Sequence, residues 1–140
     1  MSGRREVFEY AVLRVVPRVE RGESLNAGVL LYCRGLGYLG ARAQLDRDRL
    51  RALDPTADAE AVERALLALC DLAPGPGPGA GAAALEEVGR RFRRLTAPRS
   101  TVLQPGPVHT GLTSDPDAEA VRLFHLLVLP VGENGTENSS

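Results

Sequence analysis

From Val7 to Val16 the chain is almost unbroken in apolar and aromatic residues, with β-branched valine at positions 7, 12, 15 and 16. A run of this kind reads as a strand buried on both faces, and Pro17, which cannot donate to a ladder, ends it. Strand alternation puts Arg14 on the same side as Phe8, Tyr10 and Val12. Two more segments of strand character follow, residues 27–33 and about 38–43. Arg34-Gly35 and Gly37 between them make a hairpin, so the sheet is at least partly antiparallel.

The rest of the chain is helical in pattern. Residues 45–53 are weakly so, with Leu45, Leu50 and Leu53 apolar among charges. Asp54-Pro55-Thr56 supplies a cap and first turn for a helix over about 56–72, whose apolar stripe is Val62, Leu66, Leu69 and Ala73. The run Pro74-Gly75-Pro76-Gly77-Pro78-Gly79-Ala80-Gly81 stops it and reads as an exposed linker that packs on nothing. Leu85, Val88, Phe92 and Leu95 then define an amphipathic helix over about 83–95, with Glu86–Arg90 and Glu87–Arg91 at helical spacing. Its arginines at 90, 91, 93 and 94 read as a solvated face. Residues 101–103 can form a short edge strand before Pro105 and Pro107 end pairing. Ser114 or Asp115 caps a last helix over about 116–128. The expectation is one α+β domain over residues 1–131. A small antiparallel sheet of three or four strands carries three main helices mostly on one face, with a disordered tail at 132–140.

Composition excludes several function classes. All 17 basic residues are arginine, which removes the Walker-type phosphate loop, Schiff-base chemistry and a Ser–Lys dyad. Any phosphate or carboxylate contact then falls to arginine or to backbone amides. The absence of Lys and Ile fits a genome of high GC content. A net charge of −1 and few aromatic residues argue against a dedicated nucleic-acid binder. No stretch has the apolar length of a membrane span, and the polar N-terminus is not a signal peptide, so the expected location is the cytoplasm. Cys33 and Cys70 stand apart in apolar segments and read as reduced, buried thiols. Two His and two Cys with no ligand spacing give no metal site, and no cofactor is expected.

Two polar-rich stretches hold the candidate site, because charged and hydroxyl side chains at turn positions beside apolar segments are where binding or catalysis concentrates. The first runs from Arg14 through Arg21-Gly22-Glu23 to Asn26 and Gly28. The second runs from Pro98-Arg99-Ser100-Thr101 through Gln104 and His109-Thr110-Gly111-Leu112-Thr113 to Pro116. Taken with Tyr10-Ala11-Val12-Leu13-Arg14-Val15-Val16-Pro17 and Leu123-Phe124, these segments resemble the bacterial family catalogued as domain of unknown function 3037. The resemblance covers nearly the whole chain apart from the Pro/Gly run and the tail. It implies a small cytosolic, mainly actinobacterial protein, often encoded beside a HipA-type kinase that would be its partner.

The residues themselves favour binding over catalysis. Arg14, Arg21, Glu23, Asn26, Arg99, Ser100, Thr101, Gln104, His109, Thr110 and Thr113 would converge on one donor-rich site for a phosphate or carboxylate, carried by a small molecule or a phosphopeptide. For Arg21 and Glu23 alone the bland reading, a local ion pair, comes slightly ahead, because adjacent opposite charges in a loop often satisfy each other. The alternative is a small hydrolase or phosphate-ester enzyme using His109 with Ser100 and Glu23. Ser100 lacks the exposed elbow such a nucleophile needs, and His109 has no second His-x-Thr pair, so no catalytic residue is assigned. His125, alone on an apolar helix, reads as structural.

Overall fold

The computed structural model describes residues 4–99 and 101–131; Ser100 and the 132–140 tail lie outside the described residues. The elements are β1 (Glu6–Val15), β2 (Leu25–Cys33), β3 (Tyr38–Ala43), α1 (Arg47–Leu53), α2 (Ala59–Asp71), α3 (Ala82–Leu95), β4 (Leu103–Pro105), β5 (His109–Thr113) and α4 (Pro116–Leu127). The class is α+β, and the antiparallel sheet is one strand larger than the sequence suggests, with five strands in place of three or four. Its order is β3-β2-β1, and β4 and β5 share the outer edge of β1. β5 lies beside Glu6–Tyr10, with Tyr10 opposite His109, and β4 beside Leu13–Val15, with Arg14 opposite Gln104. Pairing therefore resumes after the prolines that were expected to end it. An edge strand has one row of amides facing away, so Pro105 closes β4 without breaking a bond it owes.

Two apolar cores form because β2 is covered on both sides. Leu25, Ala27, Leu30 and Tyr32 face α1–α3 and pack with Leu50, Leu66, Val88 and Phe92. Val29, Leu31 and Cys33 face the other way, against Ala120 and Leu123 of α4. Three of the four helices thus share one face and α4 alone covers the other, over β2 and β3. Asp115 caps α4, accepting from the Ala118 amide at 3.1 Å, with Pro116 in the first turn. α2 begins three residues later than expected. Asp54 is the C-terminal cap of α1, and its side chain accepts from both the amide and the hydroxyl of Thr56, a local turn that competes with helix entry. Asp58 takes the capping role instead, accepting from the Ala61 amide at 3.0 Å.

Two expectations are corrected. The Pro/Gly run connects α2 and α3 but is not free of the core: the Gly75 and Gly77 amides donate to the Leu39 and Gly37 carbonyls, each at 2.9 Å, along the outer edge of β3. Gly37 has φ of 60° there, and a β-carbon on it would lie 2.3 Å from the Gly77 carbonyl oxygen, so the position needs glycine twice over. Nor is Arg91 part of a solvated face. It reaches from α3 to the end of α2, where Nη1 donates to the carbonyls of Leu72 (3.2 Å), Ala73 (3.0 Å) and Pro74 (2.8 Å). The Leu72 carbonyl belongs to the C-terminal cap of α2, and those of Ala73 and Pro74 belong to the chain leaving it, so one side chain closes the helix end and the turn after it.

Candidate functional site

β1 carries the site, because α4 covers β2 and β3 and leaves the same face of β1 partly open. Tyr10, Val12 and Arg14 lie in a row along that face, each half-buried. Sheet register brings Asn26 from β2 and Gln104 from β4 to either side of Arg14. Asn26 donates through Nδ2 to the Leu127 carbonyl at 2.9 Å, tying this row to the end of α4 and leaving its own carbonyl oxygen as an acceptor. Gln104 donates to the Thr101 carbonyl at 2.9 Å, and the Thr101 hydroxyl donates to the Leu103 carbonyl at 2.8 Å. Both bonds hold the β4 turn in shape.

The Arg14 guanidinium lies over Gly106. A β-carbon at Gly106 would sit 3.1 Å from Cζ and 3.2 Å from Nη2, so any larger residue there would push the guanidinium aside by a few tenths of an ångström. Gly106 is itself fixed by its amide, which donates to the Val12 carbonyl at 2.8 Å. Among the described residues Arg14 has no hydrogen-bond or ion-pair partner. A half-buried guanidinium without a counter-charge has lost part of its hydration without replacement, and an incoming anion would restore it.

The other sequence-selected residues are distributed elsewhere. His109 lies against Tyr10, ring centroids 5.3 Å apart and planes tilted by 35°, four residues along β1 from Arg14. Thr110 is exposed beside Glu9 on the opposite face of the sheet. Thr113 is buried, and its hydroxyl accepts from the Asp115 amide at 3.0 Å, a helix-entry role. Arg21 and Glu23 bind one another in the exposed β1–β2 connection, Nε to Oε1 at 2.7 Å. The hydrogen bond from Arg21 holds the Glu23 carboxyl below the usual carboxylate range. Glu23 therefore sits engaged beyond the far end of β1 from His109, which deprives the His109–Ser100–Glu23 alternative of its carboxylate. Arg99 donates to the Arg94 carbonyl at 3.1 Å and lines a pocket with Arg91 and Arg94, between α2 and α3. It is on the face away from Arg14 and does not join that row.

Gly106 was missed by sequence reasoning, though it stands in the sequence as a glycine between two prolines. Tyr10, the seat of His109, was placed on the right face of β1 but not selected. Thiol chemistry has no support: burial pushes the Cys33 thiol up and takes Cys70 to about 11, keeping both protonated near neutrality. Among the described residues no helix is long and apolar enough to cross a membrane.

Fold and site together define an α+β protein with one antiparallel sheet, helices on both faces and, on an inner strand, an arginine that is unpaired among the described residues. The chain belongs to the family described as Protein of unknown function (DUF3037), which matches residues 10–128. No curated protein and no solved structure matches it.

Proposed function

We propose that this is a cytoplasmic accessory protein without catalysis of its own, docking an anionic group of a kinase-type partner on the open face of β1. The observation that carries the reading is Arg14, half-buried on the seat made by Gly106 and without a protein counter-charge among the described residues. Arginine offers a planar fork of donors to a phosphate or carboxylate, and the Asn26 and Gln104 amides flank it with further polar capacity. Tyr10 and His109 extend the surface with two rings in contact, which suit a peptide better than a bare ion. The HipA-type kinase implied by the sequence resemblance is the partner to try first.

The test is association of the purified chain with that kinase, measured for wild type, Arg14→Gln and Arg14→Lys. Loss of a charged hydrogen-bond pair predicts about ten-fold or more weaker binding for Arg14→Gln and partial retention for Arg14→Lys, with unfolding unchanged within about 1 kcal/mol. An Arg14→Gln protein that folds normally and binds as wild type does would reduce the arginine to a structural residue and end this reading.

A further inference from the structure

The opposite face of the sheet holds a second and separate feature. Tyr32 points from β2 toward α3, its ring stacked on Phe92 at 5.1 Å between centroids. The residue is only 6% exposed, yet its hydroxyl has no hydrogen-bond partner among the described residues. That hydroxyl stops beneath Gly89, where a β-carbon would be 2.9 Å from the oxygen. The opening above it is a pocket of about 250 Å³ lined by Arg34, Arg90 and Arg93 and by two carboxylates, Glu9 and Glu86. The side chains of these three exposed arginines have no ion-pair or hydrogen-bond partner among the described residues, and the same holds for the half-buried Glu9.

Glycine inside a helix is less stable than alanine by about 1 kcal/mol. Packing alone does not account for that loss, since phenylalanine at 32 would fill the same core without reaching Gly89 and without a polar atom to satisfy. The cost is explained if the phenol has to reach the pocket. Three guanidiniums and a phenolic donor around one opening match the oxygens of a phosphate, while Glu9 and Glu86 repel a bare polyanion and leave acceptors for hydroxyl groups.

We propose that this pocket binds a small phosphorylated molecule. Arg34, Arg90, Arg93 and the Tyr32 hydroxyl hold the phosphate, and Glu9 accepts from a hydroxyl group on the same molecule. The site is independent of Arg14 and of any protein partner docked there.

Titration of the full chain with inorganic phosphate and with ribose 5-phosphate, followed by calorimetry and by amide chemical shifts, tests it. Ribose 5-phosphate should bind saturably at one site, more tightly than inorganic phosphate, and shift the amides around Gly89 and Tyr32. Arg90→Gln/Arg93→Gln and Tyr32→Phe should each weaken binding by about ten-fold. Tyr32→Phe should do so with no loss of melting temperature, and Arg14→Gln should leave this binding as in wild type. Absence of saturable binding, or Tyr32→Phe and the double variant both binding like wild type, would overturn the proposal. Equal affinity for the two probes would remove Glu9 from the site.

Discussion

Arg91→Ala is the substitution that most directly tests how the two helices of the larger core are held together. The side chain is 22% exposed, and one of its nitrogens is shared among three carbonyls at the end of α2, while the rest of the guanidinium binds Glu87 on its own helix. Three acceptors cannot be counted as three full bonds to one NH₂ group, so about two net interactions are lost. Leu72 and Pro74 are exposed and their carbonyls can turn to water, but Ala73 is fully buried and its carbonyl is the one left short of a partner. At about 1 kcal/mol for each partly solvated bond, plus about 0.5 kcal/mol for a cation at a helix C-terminus, the expected loss is about 2.5 kcal/mol. The Glu87–Arg91 pair, one helical turn apart and open to solvent on the Glu87 side, adds little to that figure. Arg91→Ala should therefore lower the unfolding free energy by about 2.5 kcal/mol and the melting temperature by roughly 7–10 °C for a domain of this size. Glu87→Ala should cost under about 1 kcal/mol. Urea denaturation followed by circular dichroism reads both. If Arg91→Ala falls within about 0.5 kcal/mol of wild type, or if Glu87→Ala costs as much, the arginine is a surface charge and the capping argument is wrong.

Other outcomes follow from the edge of β3 and from the tyrosine that joins it to α4. Gly37→Ala should destabilise by about 2–4 kcal/mol, because the new β-carbon meets both a left-handed backbone and the Gly77 carbonyl, whereas Gly79→Ala, with φ of 84° and open space around it, should cost about 1 kcal/mol. Equal costs in the same denaturation assay would mean that the Pro/Gly run does not dock. The Tyr38 phenol is pushed up to about 12, by burial first and by Asp117 second. Its folded value is thus above its unfolded value of about 10, so its contribution to stability is complete below pH 10 and is lost as pH rises toward 12. Phenolate absorbance should show one of the three tyrosines ionising late, and Tyr38→Phe should flatten part of the alkaline loss of stability; co-ionisation of all three near pH 10 in the folded protein would refute this.

What could be read from the sequence was whatever periodicity decides. β1–β3 and α2–α4 carry their apolar residues at strand or helix spacing, and each appears within about three residues of its expected limits. β5 was not legible, since His109-Thr110-Gly111-Leu112-Thr113 has a single apolar side chain and becomes a strand only because β1 has a free edge to offer. The site divides along the same line. Arg14 stands out as a charge inside an apolar strand, and strand alternation gives its direction from sequence alone. Arg99 and Arg91 look like any other loop or helix arginine, and what they bind depends on where the end of α2 falls, which is a tertiary fact. Tyr32 and Gly89 are more than fifty residues apart, and each alone reads as ordinary core or as a weak helix position.

The Pro/Gly run shows how a correct observation can carry the wrong inference. Its proline–glycine alternation has a period of two residues, which is also the period of a β-strand, in which alternate amides face alternate neighbours. Gly75 and Gly77 donate inward to β3, so the prolines at 74, 76 and 78 fall at the positions whose amides would face away. A residue without an N–H loses nothing there, and a further strand arriving from outside would find no donors to pair with at those positions. Glycine on the inner row has two separate causes: a β-carbon on Gly75 would lie 3.0 Å from both the Gly37 carbonyl oxygen and the Leu39 amide nitrogen, and Gly77 has φ of 89°. The segment thus satisfies the exposed edge of β3 while presenting a row that cannot extend the sheet. On this reasoning a Gly/Ser replacement of the same length would keep the connection between α2 and α3 but restore outward-facing amides, so its defect should appear as self-association at high concentration more than as a loss of folding. Analytical ultracentrifugation of that variant decides the point: a monomer at every concentration where wild type is a monomer would mean that the prolines protect nothing.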